Sequence, residues 1–226
     1  MLKSTFFKNG VIKLNYVNAT LLGGAPMSLK VLMYLIVTTQ LATFIGYDFV
    51  DSMIFKHEFI QEPIQENIPY EYMISINGKE GSVDLELLAT YEIVAQVKSI
   101  KDYSDDFTSQ ISPRDFALAW GDVNMPSIDN YVHYRQNERW YYFTVSSKAP
   151  VSAEYVDYYS ANTHIIPANP TILETVRSVQ TNDRITMKGY LVNAYFKNGY
   201  WQSSLTRSDT GDGSCEIMYV TDIVIH

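Results

Sequence analysis

The sequence predicts an α+β architecture: a single transmembrane helix near the N-terminus, then a mostly antiparallel β domain shaped as a small OB-like barrel with inserted helices. Three observations predict it. No charged residue occurs over residues 31–47. Residues 1–47 hold four lysines and no acid, while residues 48–226 hold 13 basic and all 25 acidic residues, a net of −12. From residue 83 onward, short alternating apolar runs are separated by turn-forming residues, the period-2 signature of half-buried strands.

The N-terminal elements come first. Asn9-Gly10 gives a hairpin signal within residues 6–12, although a lone short hairpin is marginal. A helix from Leu29 to Tyr47, with Lys30 snorkelling to the interface, meets the requirement of about 20 residues for a bilayer core. Its apolar residues surround the axis instead of forming one stripe, unlike a soluble core helix. The run starts too late for a cleaved signal peptide, and no small-residue cleavage site follows it. Threonine hydroxyls can return hydrogen bonds to the preceding turn. Gln40 has no such remedy, and is expected to face another helix. Lysines before the helix and Asp48 and Asp51 after it place the N-terminus in the cytoplasm. The expected organisation is therefore a cytoplasmic segment at 1–28, a membrane helix at 29–47, a stalk and linker at 48–82, and a globular extracytoplasmic domain at 83–226.

Within that domain, residues 87–99 read as a strand, with Tyr91, Ile93, Ala95 and Val97 on one face. Ser112-Pro113 and Asp115 predict a short helix over 112–121, capped by Ser112 and ending near Gly121. Residues 131–136 and 139–145 form a hairpin across Asn137-Glu138. Helices follow over 152–160 and 171–180, the second with Ile172, Val176 and Val179 on one side. Residues 184–196 and 200–205 flank Asn198-Gly199, the best hairpin signal in the chain. A last strand covers 215–225. A strand–strand–strand–helix–strand–strand barrel of the oligonucleotide/oligosaccharide-binding (OB) type accommodates this order.

Three segments concentrate polar residues: 112–121, 162–168 and 203–216. They resemble a set of uncharacterised bacterial proteins that carry Ser-Pro-x-Asp, Asn-x-His-x-Ile-Pro-Ala and Ser-Leu-x-Arg-x-Asp-Thr-Gly-x-Gly-x-Cys-Glu segments. That resemblance covers residues 112–220. It implies a bacterial envelope setting, with the helix in the inner membrane and the domain in the periplasm, and it implies no activity.

The residues themselves leave several chemistries to weigh. Asp209-Thr-Gly matches the aspartic-protease triplet, but Thr206-Arg207-Ser208 replaces the apolar strand that should precede it. Asp209, Asp212 and Glu216 supply the oxygens of a calcium loop without EF-hand spacing. A structural turn, with Arg207 paired to one of these acids, explains the same residues. Cys215 and His164 are the candidate nucleophile and base of a hydrolase. Against this, a lone cysteine heading an apolar strand behaves as a small buried hydrophobe, and His164 between apolar neighbours as a packed histidine. The scattered histidines give no metal spacing, and no phosphate-binding glycine loop occurs, so no metal or cofactor is expected.

The acidic domain repels phosphate backbones, which argues against nucleic acid. A single cysteine precludes an intrachain disulfide. Tyr141, Tyr142, Tyr200 and Trp201 lie on adjacent hairpins, where outward-facing members suit protein or glycan contacts. The expected function is a non-catalytic membrane-anchored envelope protein. Its periplasmic domain would bind another membrane or periplasmic protein, or a second copy, using Gln40 and these aromatics. The alternatives are an anchored hydrolase using Cys215/His164 or carboxylates near Asp209, and a glycan-binding module.

Overall fold

A computed structural model describes residues 62–206 and 214–226, together with Met33, Val37, Thr39, Gln40 and Thr43. The chain divides into two units, Met1–Val50 and Asp51–His226. In the first, the five described residues are helical and exposed. Thr43 donates its hydroxyl to the carbonyls of Thr39 at 3.0 Å and Gln40 at 2.8 Å, the return bond expected of a helical threonine. The rest of the 29–47 helix, the Asn9-Gly10 hairpin and the helical part of the stalk lie outside the described residues. Among the described residues, no helix is long and apolar enough to cross a membrane.

The second unit is mostly antiparallel β sheet with a few short helices. Its strands are β1 (Ile64–Asn67), β2 (Met73–Gly78), β3 (Gly81–Asp102), β4 (Arg114–Ala119), β5 (Val132–Asn137), β6 (Trp140–Val145), β7 (Ser160–Pro167), β8 (Arg184–Phe196), β9 (Gly199–Trp201) and β10 (Glu216–Ile225). The α-helices are α1 (Pro126–Asp129), α2 (Ala153–Tyr158) and α3 (Pro170–Ser178). Five strands close on themselves. β3 bonds β4, β4 bonds β7, β7 bonds β10, β10 bonds β8, and β8 returns to β3. All five contacts are antiparallel except β7–β10, which is parallel. Closure removes the open edges that a flat sheet would expose.

The long β3 makes closure possible. It spans 22 residues and carries register shifts at Leu87/Ala89 and Val97/Ser99. Such shifts bend a strand and sharpen its twist. Its central residues Tyr91, Ile93, Ala95 and Val97 are buried as the alternation predicts. They meet Phe116 and Leu118 of β4, Ile165 of β7, Ile185 and Met187 of β8, and Met218 of β10. Helix α3 adds Ile172 and Val176 to this core and packs against β7 and β10. Neighbouring residues on the same strands serve a second cluster. Ile166 and Ile217 join Val83, Leu85 and Val192 on the opposite face of the wall.

Two sequence expectations need correction. The helix expected over 112–121 is strand β4. Phe116, Leu118 and Trp120 alternate with small alanines, and barrel burial of that period-2 face outweighs the local Ser-Pro capping signal. The stretch assigned to linker holds β1 and β2, both paired with β3, so the sheet begins before residue 83. The helices at α2 and α3 and the hairpins β5–β6 and β8–β9 fall where expected. The β5–β6 turn lies one residue later, at Glu138-Arg139, whose φ values of 51° and 69° give it the left-handed backbone of a tight hairpin.

Barrel closure also explains Gly189. A Cβ there would stand 2.0 Å from the carbonyl oxygen of Tyr219, so β8 and β10 approach too closely for any side chain. Gly189→Ala should destabilise the domain by about 3 kcal/mol, the upper range for overpacking. Urea unfolding followed by tryptophan fluorescence would measure it, and an unchanged midpoint would contradict this account.

Candidate functional site

β4 and β7 lie side by side with Asp115 opposite His164 and Ala117 opposite Asn162. Because Phe116 and Ile165 face the barrel interior, Asp115, Asn162 and His164 face the outer side of the wall. An isolated carboxylate there, with no exposed surface, would be strongly disfavoured. The β5–β6 turn supplies its partner. Arg139 Nη1 donates to Asp115 Oδ1 at 2.7 Å, and Nη2 donates to the carbonyl of Ser112 at 2.8 Å. The remaining edge of the guanidinium grips Asp106 in a fork, Nε to Oδ2 at 3.1 Å and Nη2 to Oδ1 at 2.9 Å. Its carbon stands 3.7 Å from the ring centre of Tyr103. The backbone joins in: Arg139 N–H donates to the Tyr103 hydroxyl at 3.0 Å, and its carbonyl accepts from Asn162 at 2.9 Å. Burial, with the nearby Asp115 charge, pushes the Tyr103 phenol up to about 12. It therefore stays neutral.

Beside this clamp lies a half-open pocket of about 380 Å³, lined by Arg139, Trp140, His164, Tyr200, Trp201, Gln202 and Cys215. His164 is 3% exposed, and its ring centre is 4.5 Å from that of Trp201. Its Nδ1 approaches Asp115 Oδ2 to 2.8 Å, yet both atoms are buried without a formed hydrogen bond. The contact is close but not aligned along an N–H direction. Among the described residues, no hydrogen bond joins Cys215 to His164. The Cys215 sulfur instead accepts from Asn162 Nδ2 at 3.7 Å. A nucleophile–base–carboxylate relay requires both links.

The structure thus brings His164 and Cys215 together with Tyr200 and Trp201. Tyr141 is half-buried, its hydroxyl donating to the Ser160 carbonyl at 3.3 Å, so it serves the hairpin's packing and not an outer patch. Tyr142 is exposed beneath the Arg135 guanidinium, 4.6 Å from its ring centre. Gln40 is an exposed helical residue of the first unit. Arg207, Asp209 and Asp212 lie outside the described residues. Glu216 is buried at the start of β10, not held out to solvent. Among the described residues, no group of three or more His, Cys, Asp or Glu is arranged to hold a metal ion. Sequence reasoning missed Asp106, Asp115 and Arg139 as a unit. A buried aspartate within an apolar strand was the available signal, and the helix assignment hid it. Comparison with family models, curated proteins and solved structures finds no match to this chain.

Arg139→Gln should cost about 3–5 kcal/mol by stranding the buried Asp115 charge. Adding Asp115→Asn should recover much of that loss, since the two residues are coupled. Acid should loosen the same clamp. Burial raises the Asp106 carboxyl, but the bonds from Arg139 and Thr108 outweigh it and hold it below the ordinary value of 3.8. Asp102 is lowered chiefly by its hydrogen bond from Arg114. Stability from such lowered carboxyls is complete above the ordinary value and lost as pH falls through the folded values. Denaturant midpoints should therefore hold steady near neutrality and fall below about pH 4, less steeply in Arg139→Gln.

Proposed function

We propose that this chain is a non-catalytic, membrane-anchored envelope protein whose β domain binds another protein. The uncharged 31–47 run and the lysine bias before it support the anchor and its orientation. The order strand, strand, strand, helix, strand, strand around a closed ring supports an OB-type barrel, an architecture used for binding. One observation carries the interaction reading. Large exposed side chains lie around Glu86: Tyr70, 74% exposed, lines a groove with it, and exposed Met73 and Tyr195 flank it beside Tyr200, which is 67% exposed. Tyr195 stands opposite Tyr200, and its hydroxyl donates to Glu86 at 2.7 Å. Glu86 in turn stands opposite Met73. Residues 62–97 hold seven acids against Lys79 alone. Tyrosine rings beside carboxylates suit a partner presenting lysine and arginine.

The hydrolase reading has one observation in its favour, the shared pocket of Cys215 and His164. The unaligned Asp115 contact and the absent Cys215–His164 bond weigh against it.

The tests separate these readings. A reporter fused after His226 should be active only outside the cytoplasm, and cytoplasmic activity would sink the anchored architecture. In native membranes, a partner cross-linked to wild-type protein should be lost from a Tyr70→Ala/Tyr195→Ala/Glu86→Gln variant at unchanged abundance, and its capture should weaken with salt. Cys215→Ser should leave that capture and the cellular phenotype intact. Loss of phenotype in Cys215→Ser at normal abundance, with the tyrosine variant harmless, would promote the enzyme.

A further inference from the structure

The tyrosine face leaves the His164 pocket unexplained, and the pocket's chemistry narrows what can enter it. Its lining includes Trp140, Tyr200 and Trp201, which offer apolar ring surface, and Gln202, which offers an amide. His164 sits at its buried side. With Nδ1 turned to Asp115, Nε2 is the ring nitrogen left for an occupant. A purely apolar occupant would bury this nitrogen without a partner, at a cost comparable to a lost hydrogen bond. A cation would find no carboxylate among the described lining residues to replace its water. An anion would find the Arg139 guanidinium already bonded to Asp106, Asp115 and Ser112, in a domain of strong negative charge. The occupant that satisfies all three conditions is neutral, with flat apolar faces and hydroxyl or amide groups at its edge.

We propose that this pocket binds a neutral sugar ring. Such a ring lays its C–H faces on aromatic side chains while its hydroxyls exchange hydrogen bonds with His164 and Gln202. The volume of about 380 Å³ lies at the small end of ligand sites, which suits one or two residues of an oligosaccharide and not a long chain. The Arg139 clamp fixes the turn that carries Trp140, so the pocket is preorganised and little ordering is needed on binding. Affinity for a single ring should be weak, on the order of 1 mM.

The purified full-length protein, probed on an array of neutral and anionic oligosaccharides, tests this directly. Binding should be confined to neutral glycans. Against the best array hit, Gln202→Ala and Tyr200→Ala should each weaken binding about tenfold or more, a loss of about 1.4 kcal/mol. These residues are exposed, so both variants should stay folded; Trp201→Ala adds a stronger loss if it folds. The same glycan should slow alkylation of Cys215 by iodoacetamide, read unambiguously by intact mass because the chain has one cysteine. Cross-linking of the protein partner should survive Gln202→Ala, which separates this site from the tyrosine face. The proposal is overturned by an array with no signal above background, by binding of anionic glycans, by a hit indifferent to Gln202→Ala and Tyr200→Ala, or by unaltered alkylation. Protection of Cys215 by a peptide instead of a glycan would also overturn it.

Discussion

The ion pair between Arg139 and Asp115 is the constraint on which the outer half of this domain depends. Strand β4 must turn alternate residues away from the barrel, and one of those positions holds a carboxylate with no exposed surface. Its neighbour on the wall is His164, whose Nδ1 lies 2.8 Å away without a formed hydrogen bond. The charge is compensated only because a hairpin inserted between β4 and β7 folds back and delivers a guanidinium in its turn. Two consecutive non-glycine residues adopt positive φ to make that delivery, a conformation that costs free energy unless its surroundings impose it. The surroundings are Asp106, Tyr103, Ser112 and Asn162, which saturate the arginine and its peptide group together. Buried pairs of this kind rarely add net stability, but they specify which arrangement forms. Here the specified arrangement is the seat of the β5–β6 hairpin, and with it the position of Trp140.

A similar logic holds on the other side of the hairpin. Val123, Ile128, Val132 and Val156 form a small apolar cluster with Tyr134 and Phe143, joining β5–β6 to α1 and α2. Lys98 of β3 reaches α1 through a 2.6 Å contact with Asp129. Burial lowers its pKa, and the hydrogen bond and charge of Asp129 work against that shift. The insertion is thus fastened to the barrel by apolar packing at one point and by charges at two others. The long β3 serves both regions. Its second half closes the barrel with β4, while its first half carries β1 and β2 and so builds the tyrosine-bearing face.

What the sequence disclosed follows from the range of the forces involved. Period-2 burial announces itself locally, so Tyr91 to Val97 and the 184–196 strand were legible. So were α2 and α3, where Ser152 and Asn169 accept hydrogen bonds from Tyr155 and Ile172 as N-caps. The error at 112–121 has the opposite cause. Ser112, Pro113 and Asp115 satisfy every local rule for a helix start, and only the barrel's demand for Phe116, Leu118 and Trp120 on one face overrides them. β1 and β2 were hidden because their burial is slight and their stability comes from pairing with β3. In the candidate site, His164 and Cys215 were visible as residue types. The arginine that organises their surroundings lies 24 positions from Asp115 in sequence, and no local pattern links the two.

The two candidate surfaces meet at β9. This three-residue strand is held to β8 by register pairs from Phe196–Gly199 to Ala194–Trp201. The chain beyond it is pinned by Ser203, whose N–H donates to Asn193 Oδ1 at 3.1 Å, and by Ser204, whose N–H donates to the Cys215 carbonyl at 3.0 Å. Tyr200 stands opposite Tyr195 of the acidic face and also lines the pocket, while Trp201 packs toward His164 and the second core. Consecutive strand residues point to opposite sides, so a short strand is well placed to belong to two surfaces at once. An occupant gripping Trp201 fixes the same backbone that presents Tyr200. Occupation of the pocket and engagement of the tyrosine face therefore share β9, while Gln202 and His164 belong to the pocket and Tyr195 and Glu86 to the face.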